Sequence, residues 1–165
     1  ISCLVGLPIK FLDPKHGIIY NTAMQPPRIV IDTNVLIAAL RSSQGASHRL
    51  LLRLGTGAFD IAVSVPLVLE YESVATRLVV MGPLTSRDVQ SVVDYVCSVA
   101  IHAKVHYLWR PYLKDPKDDM VLETAVAAGC GHIVTFNRRD FAGSERFGVR
   151  IVTPQVFLKT IGDKP

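Results

Sequence analysis

RIVIDTNVLIAALR, residues 28–41, is the stretch of sequence from which the fold is predicted. Its first part, 28–32, is a short β-branched run, which is typical of a strand buried on both faces of a sheet. From Thr33 onward the apolar residues recur at helical spacing, and Asp32 or Thr33 can cap the helix. A buried strand that leads directly into a helix is the first half of a β-α-β unit, the building block of a parallel sheet.

The same alternation of strand and helix continues along the chain. Further strands are predicted at 59–64, 103–108, 132–135 and 149–152. Further helices are predicted at 46–54, 66–80, 85–100, 115–129 and 154–160. This order predicts an α/β fold, a three-layer α/β/α sandwich around a central, mainly parallel sheet of about five strands.

Length and composition restrict the class of protein. The chain has 165 residues, 49% of them hydrophobic and 19% charged, which fits one folded domain and excludes global disorder. No apolar run approaches the roughly 20 residues that cross a bilayer, so we expect a soluble cytoplasmic protein with no membrane partner. A net charge of +4 permits a polyanionic partner without requiring one. Three cysteines are too few and too scattered for a disulfide framework.

Residues 1–27 are interpreted as an irregular N-terminal extension. The segment contains four prolines and shows no sustained period of 2 or 3.6. Met24 is the first methionine and precedes the first convincing strand, so residues 1–23 are interpreted as sequence added ahead of the natural start. The remaining residues, 28–165, are predicted to form the functional domain.

Acidic residues are predicted to gather at one edge of the sheet. Ligands of open α/β sheets bind beyond the carboxyl ends of the strands. Asp32 ends the first of the parallel strands, Glu70 lies one turn into the helix after the second, and Asp140 follows the fourth by a short loop. Asp118 and Asp119 begin the helix that leads into that fourth strand. Such carboxylates repel unless they are protonated or bridged by cations, and oxygen-only ligands favour Mg²⁺ or Mn²⁺.

Each acidic residue also has a simpler explanation. Asp32 could be only a helix N-cap, and Asp118 and Asp119 could only complement a helix dipole. Glu70 could lie on a solvated helix face, and Asp140 could be a turn residue. Independent surface acids need not gather at one sheet edge, so their joint placement favours the functional interpretation.

Four motifs together resemble a known family. They are IDTNVL at 31–36, SVP with EYE at 64–66 and 70–72, DPKDD at 115–119, and VTFNRRDF at 134–141. In order and spacing they resemble the PIN domain, and more closely the bacterial PIN-family toxin components of toxin–antitoxin systems, relatives of the VapC toxins. The resemblance runs from Arg28 to about Leu158. The Asp-Thr-Asn opening alone is a weak signal, and the other motifs make it specific.

The resemblance implies a metal-dependent ribonuclease with Mg²⁺ or Mn²⁺ as its cofactor. It assigns the catalytic and metal-binding roles to Asp32, Glu70, Asp118 and Asp140, and supporting roles to Thr33, Asn34, Asp119, Thr135 and Asn137. Asp118 is preferred over Asp119 because relatives place the matching acid at the fourth position of the Asp-Pro-x-Asp string. Some relatives carry an acid where this chain has Asn137, so the fourth ligand depends on Asp140.

Basic and aromatic residues near these acids are candidates for contacts with RNA. Arginines beside an acidic metal site suit phosphate binding, and the candidates are Arg41, Arg49, Arg138 and Arg139, with Arg53, Arg146 and Arg150 nearby in sequence. Aromatic side chains that can stack on unpaired bases are Tyr71, Tyr107, Trp109 and Tyr112.

The main functional hypothesis is an endoribonuclease toxin that cuts RNA. By resemblance, its partners are a small antitoxin protein and a second copy of the chain in a homodimer. The competing hypothesis is a PIN-fold module that binds RNA or protein and has weak or lost catalysis. Binding that survives EDTA without turnover would favour this second hypothesis.

Overall fold

The computed structural model describes residues 10–13, 17–20, 25–82, 84–106, 108 and 110–163. Its strands are β1 (Lys10–Asp13), β2 (Gly17–Tyr20), β3 (Arg28–Ile31), β4 (Asp60–Val63), β5 (Ile101–His102), β6 (His132–Val134) and β7 (Arg150–Val152). Its helices are α1 (Thr33–Arg41), α2 (Ala46–Leu52), α3 (Val65–Met81), α4 (Ser86–Val99), α5 (Pro116–Ala127) and α6 (Pro154–Thr160), with a 3-10 helix at Ser144–Phe147.

Strands β3 to β7 form one parallel sheet in the order β5-β4-β3-β6-β7. β3 lies at its centre, where Ile29 pairs with His132 and Ile31 pairs with Val134. The side chains of β3 that point to either face are buried because helices cover the sheet. The predicted three-layer sandwich around a mainly parallel sheet of about five strands is confirmed.

The core joins this sheet to the helices. Helix α5 packs on β3, β4 and β6, and its residues Val121, Leu122 and Ala125 are buried against the sheet. Phe157 of α6 meets Phe59 edge to face, with ring centroids 5.3 Å apart. These contacts fix the helices whose first turns lie at the carboxyl edge of the sheet.

The edge strand β5 is earlier and shorter than the sequence predicts. A strand was predicted at 103–108, whereas the structure places it at Ile101–His102. The pairing ends there because its neighbour β4 ends at Val63, with one further bond from the Ala103 amide to the Val63 carbonyl oxygen at 2.7 Å. Among the described residues, no strand continues the ladder beyond this point, and residue 107 of the predicted strand lies outside the described residues. The prediction of a strand over 103–108 was therefore wrong for its described part.

The first described residues contain a hairpin. Strands β1 and β2 pair antiparallel, with Lys10 opposite Tyr20, in a segment for which the sequence predicts no regular structure. Their residues alternate poorly in polarity, which left no period to detect. The division of the chain into an extension and a functional domain at residue 28 stays a prediction.

Within the described parts of the chain, every helix is too short or too polar to cross a membrane.

Tyr71 connects α3 to the end of β3. Its side chain is 1% exposed, and its hydroxyl donates a hydrogen bond to the Ile31 carbonyl oxygen. Since Glu70 precedes Tyr71 and Asp32 follows Ile31, this bond joins the backbone segments that carry two of the candidate acids.

We expect Tyr71→Phe to lower the free energy of unfolding by about 1–3 kcal/mol, because a buried carbonyl loses its donor. Urea unfolding followed by circular dichroism measures the change. Tyr95→Phe is the matched control, since the Tyr95 hydroxyl also donates to a backbone carbonyl but its side chain is half exposed and water can replace it. Equal losses in the two variants would contradict this account.

Candidate active site

Asp32 is the buried carboxylate at the centre of the site. It directly follows β3 and is 6% exposed. Its Oδ2 accepts hydrogen bonds from Thr135 Oγ1 at 2.6 Å and from Asn34 Nδ2 at 2.7 Å. Burial raises the pKa of Asp32, and hydrogen bonds from the Thr135 side chain and from the backbone of Asn34 and Thr33 oppose that rise. Neither donor contacts Oδ1, so the second oxygen of the carboxylate has no side-chain donor from this pair.

A small polar network joins the first turn of α1 to the segment that follows β6. Asn34 Nδ2 also contacts Thr135 Oγ1 at 3.1 Å, and Asn34 Oδ1 accepts from the Phe136 amide at 3.3 Å. Thr135 Oγ1 accepts from the Asn137 amide at 2.9 Å. The predicted supporting residues Asn34, Thr135 and Asn137 thus lie together beside Asp32.

Thr33 is the exception among the supporting residues. It borders the same cleft, but its hydroxyl is buried and has no hydrogen-bond partner among the described residues. The structure gives it no contact with the Asp32 carboxylate through that hydroxyl.

Glu70 and Asp118 lie with Asp32 around one open cleft of about 620 Å³. We call it the acidic cleft, and its lining is Asp32, Thr33, Asn34, Ile37, Ala38, Arg41, Glu70, Val74, Asp115, Lys117, Asp118 and Asn137. Glu70 comes from α3 and Asp118 from the first turn of α5, so two helices bring their acids to the end of β3.

The carboxyl groups of the acidic cleft repel each other. Burial, followed by the charges of Asp32 and Asp115, raises the pKa of Asp118 to about 6. Burial also raises the pKa of Glu70, and the ammonium of Lys117 opposes that rise. Partial burial together with like charges favours protonation or a bound cation at this site.

Asp140 stands beside this cleft rather than in its lining. It lines a neighbouring cleft of about 850 Å³ that we call the arginine cleft. Its lining is Phe136, Asn137, Arg138, Arg139, Asp140, Glu145, Arg150 and Ile151. Asn137 borders both clefts, and the charge of Asp140 contributes to the raised pKa values of Asp32 and Asp118. Asp140 is therefore within electrostatic reach of the other acids.

Asp119 faces away from the site. It is 2% exposed, and its carboxylate accepts hydrogen bonds from the Leu113 amide at 2.7 Å and the Tyr112 amide at 3.2 Å. One residue along a helix turns a side chain by about 100°, and here that turn points Asp119 toward the Tyr112 and Leu113 amides while Asp118 lines the acidic cleft. The structure gives Asp119 the task of holding the preceding loop on α5.

The arginines predicted to bind RNA are placed differently from one another. Arg41 lines the acidic cleft, and Arg138 and Arg139 line the arginine cleft. Arg49 lies on α2 and borders neither of these two clefts.

Lys117 and Asp115 also line the acidic cleft, although the sequence motifs did not assign them to the site. Lys117 stands between two acids of the DPKDD motif, in the first turn of α5, where a cation opposes the helix dipole. A lysine in this unfavourable position indicates a role other than helix stability, and this could have identified Lys117 as a site residue from the sequence. Asp115 caps α5, and its Oδ1 accepts from the Lys117 amide at 2.9 Å while its charge adds to the repulsion.

A comparison with protein families settles the relationship. The family model described as the PIN domain matches residues 28–139, more than half of the chain. The chain belongs to the PIN domain family. PIN domains are generally nucleases and generally use divalent metals. The matched range contains Asp32, Glu70 and Asp118 and ends one residue before Asp140.

Solved structures share the fold of this PIN domain. One similar chain belongs to the crystal structure of VapBC2 from Rickettsia felis bound to a DNA fragment from their promoter. The two chains are 14% identical with a TM-score of 0.53, and the match covers 75% of this chain and 98% of that chain. No match to this sequence was found among curated proteins.

The acids of this PIN domain fit a hard divalent cation by their chemistry. Asp32, Glu70 and Asp118 are oxygen donors, and burial together with neighbouring acids raises the pKa of each, an effect that a bound cation would oppose. Within the described residues, no three His, Cys, Asp or Glu side chains are close enough together to hold a metal between them. Mg²⁺ keeps several waters and needs only one or two carboxylates, so the arrangement is compatible with it.

We expect the same substitution at two adjacent aspartates to have opposite effects on stability. In EDTA at pH 7.5, Asp118→Asn should raise Tm by roughly 1–4 °C, because a repelled carboxylate is lost. Asp119→Asn should lower Tm by roughly 2–10 °C, because its amide group would face a backbone N–H. Differential scanning calorimetry measures both, and a drop in Tm for both variants would contradict the assignment.

The gain from Asp118→Asn should depend on pH. The folded-state pKa of Asp118 is about 6, above its ordinary value of 3.8, so the folded protein holds the proton more tightly than the unfolded chain. The contribution of Asp118 to stability therefore falls as the pH rises from about 4 to about 6. Repeating the calorimetry from pH 4 to 8 should show the difference between Asp118→Asn and wild type shrinking toward zero below pH 6. A difference that is constant with pH would exclude this titration.

Proposed function

We propose that this chain is a divalent-metal-dependent endoribonuclease that hydrolyses RNA phosphodiester bonds. The observation that carries the proposal is the meeting of Asp32, Glu70 and Asp118 around one cleft at the carboxyl edge of the sheet, with a raised pKa for each. Three carboxylates from three different elements are costly to gather unless a cation neutralises them. The membership of the chain in a family of nucleases supports the same chemistry.

Each acid has a defined task in the proposed reaction. When bound, Mg²⁺ or Mn²⁺ would supply an activated water and neutralise phosphate charge. Asp32 is the central ligand, because Asn34 and Thr135 fix its Oδ2 and set its orientation. Glu70 from α3 and Asp118 from α5 would hold the ion directly or through its waters, and Asp140 would orient the attacking water or hold a second ion. The water oxygen bonds to phosphorus, the P–O3′ bond breaks, and the 3′ oxygen takes up a proton, which leaves a 5′-phosphate and a 3′-hydroxyl.

The charge distribution supports an RNA substrate. Arg41 borders the acidic cleft, and Arg138 and Arg139 border the cleft beside it. Arginine binds phosphate oxygens in a bidentate manner and remains charged at all physiological pH values. An acidic centre flanked by such side chains can attract a polyanion that its own carboxylates would repel.

A ribonuclease of this family can act as one component of a two-protein system. We propose that the chain is the toxin of a toxin–antitoxin pair, a cytoplasmic homodimer inhibited by a small antitoxin protein. The structural likeness to a chain of VapBC2 supports this role. Co-expression with the product of a neighbouring small gene, followed by size-exclusion chromatography with light scattering, tests both the partner and the homodimer.

One observation favours a second candidate, a PIN-fold module that binds RNA or protein with weak or lost catalysis. In the described part of the chain, three metal-ligating side chains do not converge closely enough to surround an ion. RNA binding that is unchanged by EDTA and unaccompanied by turnover would favour this candidate.

We expect Asp32→Asn to abolish cleavage of RNA. Substitution of groups that only support metal ligands costs about 10–100-fold, so loss of the central ligand should cost more than about 100-fold. Cleavage of an end-labelled mixed RNA pool with Mn²⁺, Mg²⁺ or EDTA measures the effect. Asp94→Asn is the matched control, since Asp94 is exposed on α4 and lies outside both clefts. Equal activity of Asp32→Asn and wild type would point to a contaminant and refute the assigned centre.

A further inference from the structure

An exposed phenylalanine lies next to the catalytic acids. Phe136 is 50% exposed and lines the arginine cleft. It follows Thr135, which donates to Asp32, and precedes Asn137, which borders both clefts. Half of the Phe136 surface is open to solvent, whereas Phe141, five residues later, is fully buried.

The position of Phe136 is fixed from the active site. Its backbone amide donates to Asn34 Oδ1 at 3.3 Å, and Asn34 in turn donates to Asp32 at 2.7 Å. The backbone that carries the Phe136 ring is thus tied to the residue that holds the Asp32 carboxylate. Exposed aromatic rings of this kind stack on the π-faces of nucleic-acid bases.

The rest of the arginine cleft carries groups that suit a phosphate. Arg138, Arg139 and Arg150 are exposed and form no ion pair with any of the described residues. Two acids, Asp140 and Glu145, also line the cleft, so its formal charge is positive by one. Glu145 Oε2 accepts from the Gly143 amide at 2.9 Å, which satisfies part of that carboxylate locally.

We propose that the arginine cleft is a subsite for one unpaired nucleotide next to the scissile phosphate. The base stacks on Phe136, and the neighbouring phosphates contact Arg138, Arg139 and Arg150. Bases inside a duplex have both faces covered by their neighbours, so only an unpaired and unstacked base can occupy this position. This inference rests on the proposed ribonuclease function and assigns its base contact to Phe136.

Binding to a short RNA tests the subsite directly. The probe is a fluorescein-labelled 12-nucleotide RNA, single-stranded or annealed to its complement, titrated by anisotropy in the non-cleaving Asp32→Asn background. We expect Phe136→Ala to weaken binding of the single strand about 5- to 150-fold, the range for loss of one stacked base. Phe136→Trp should restore binding, and the duplex should bind more weakly than the single strand.

Val156→Ala is the matched control, because Val156 is 49% exposed on α6 and lies outside both clefts. Arg150→Gln should reduce the salt dependence of single-strand binding by about 0.7 in the log–log slope, the value for one lost phosphate contact. Quenching of 2-aminopurine in the bound single strand, reduced by Phe136→Leu, gives a second measure of stacking that does not depend on affinity.

The outcomes separate this subsite from the ribonuclease function. If otherwise wild-type enzyme cleaves RNA but Phe136→Ala binds and cleaves a single strand as well as Val156→Ala does, the subsite is wrong and the nuclease stands. Tighter binding of the duplex RNA than of the single strand would likewise refute the subsite and leave the nuclease function standing. If wild type neither cleaves nor binds RNA, both proposals fall. Loss of single-strand binding in Phe136→Ala with recovery in Phe136→Trp supports the subsite.

Discussion

The parallel pairing of β3 with β6 is the constraint on which the site depends. It places the residue after Ile31 beside the residue after Val134, so that Thr135 Oγ1 reaches Asp32 Oδ2 at 2.6 Å. A carboxylate that is 6% exposed needs hydrogen-bond donors to offset the loss of water. Asn34, in the first turn of α1, and Thr135, directly after β6, are those donors. Thr135 reaches Asp32 only through this register, and without it the buried carboxylate would lose its shortest hydrogen bond.

Glu70 and Asp118, two other acids of the acidic cleft, are brought together despite the repulsion between their carboxylates. Burial and like charges raise the pKa values of Glu70 and Asp118, so the folded protein tolerates these acids only because packing elsewhere holds their helices in place. Tyr71 anchors α3 to the end of β3, and Asp119 anchors α5 to the loop before it. Acids that repel each other but are held together by packing are typical of functional sites rather than of ordinary surfaces.

Asp118 and Asp119 are adjacent in sequence, but one lines the cleft and the other is buried, and only part of this difference can be predicted from the sequence. The period of the apolar residues was enough to find β3, β4, β6 and β7, and the motifs were enough to select Asp32, Glu70 and Asp118 as neighbours. Neither the apolar period nor the motifs could show that the Asp119 side chain is buried. It binds the backbone amides of Tyr112 and Leu113, and a backbone amide leaves no pattern in the sequence. The strand expected at 103–108 was misplaced because an edge strand ends where its neighbour ends, which is a property of β4.

The sequence by itself determined the α/β architecture, since buried strands and amphipathic helices are local patterns of apolar residues. It also determined the order of the acids along the chain and the family to which they belong. Only the tertiary structure decided that Asp140 lines a second cleft, which shares Asn137 with the first. It also decided that Arg49 lines neither cleft and that Phe136 remains exposed. Each of these depends on which surfaces meet in space, and a one-dimensional pattern records spacing along the chain but not the direction in which a side chain finally points.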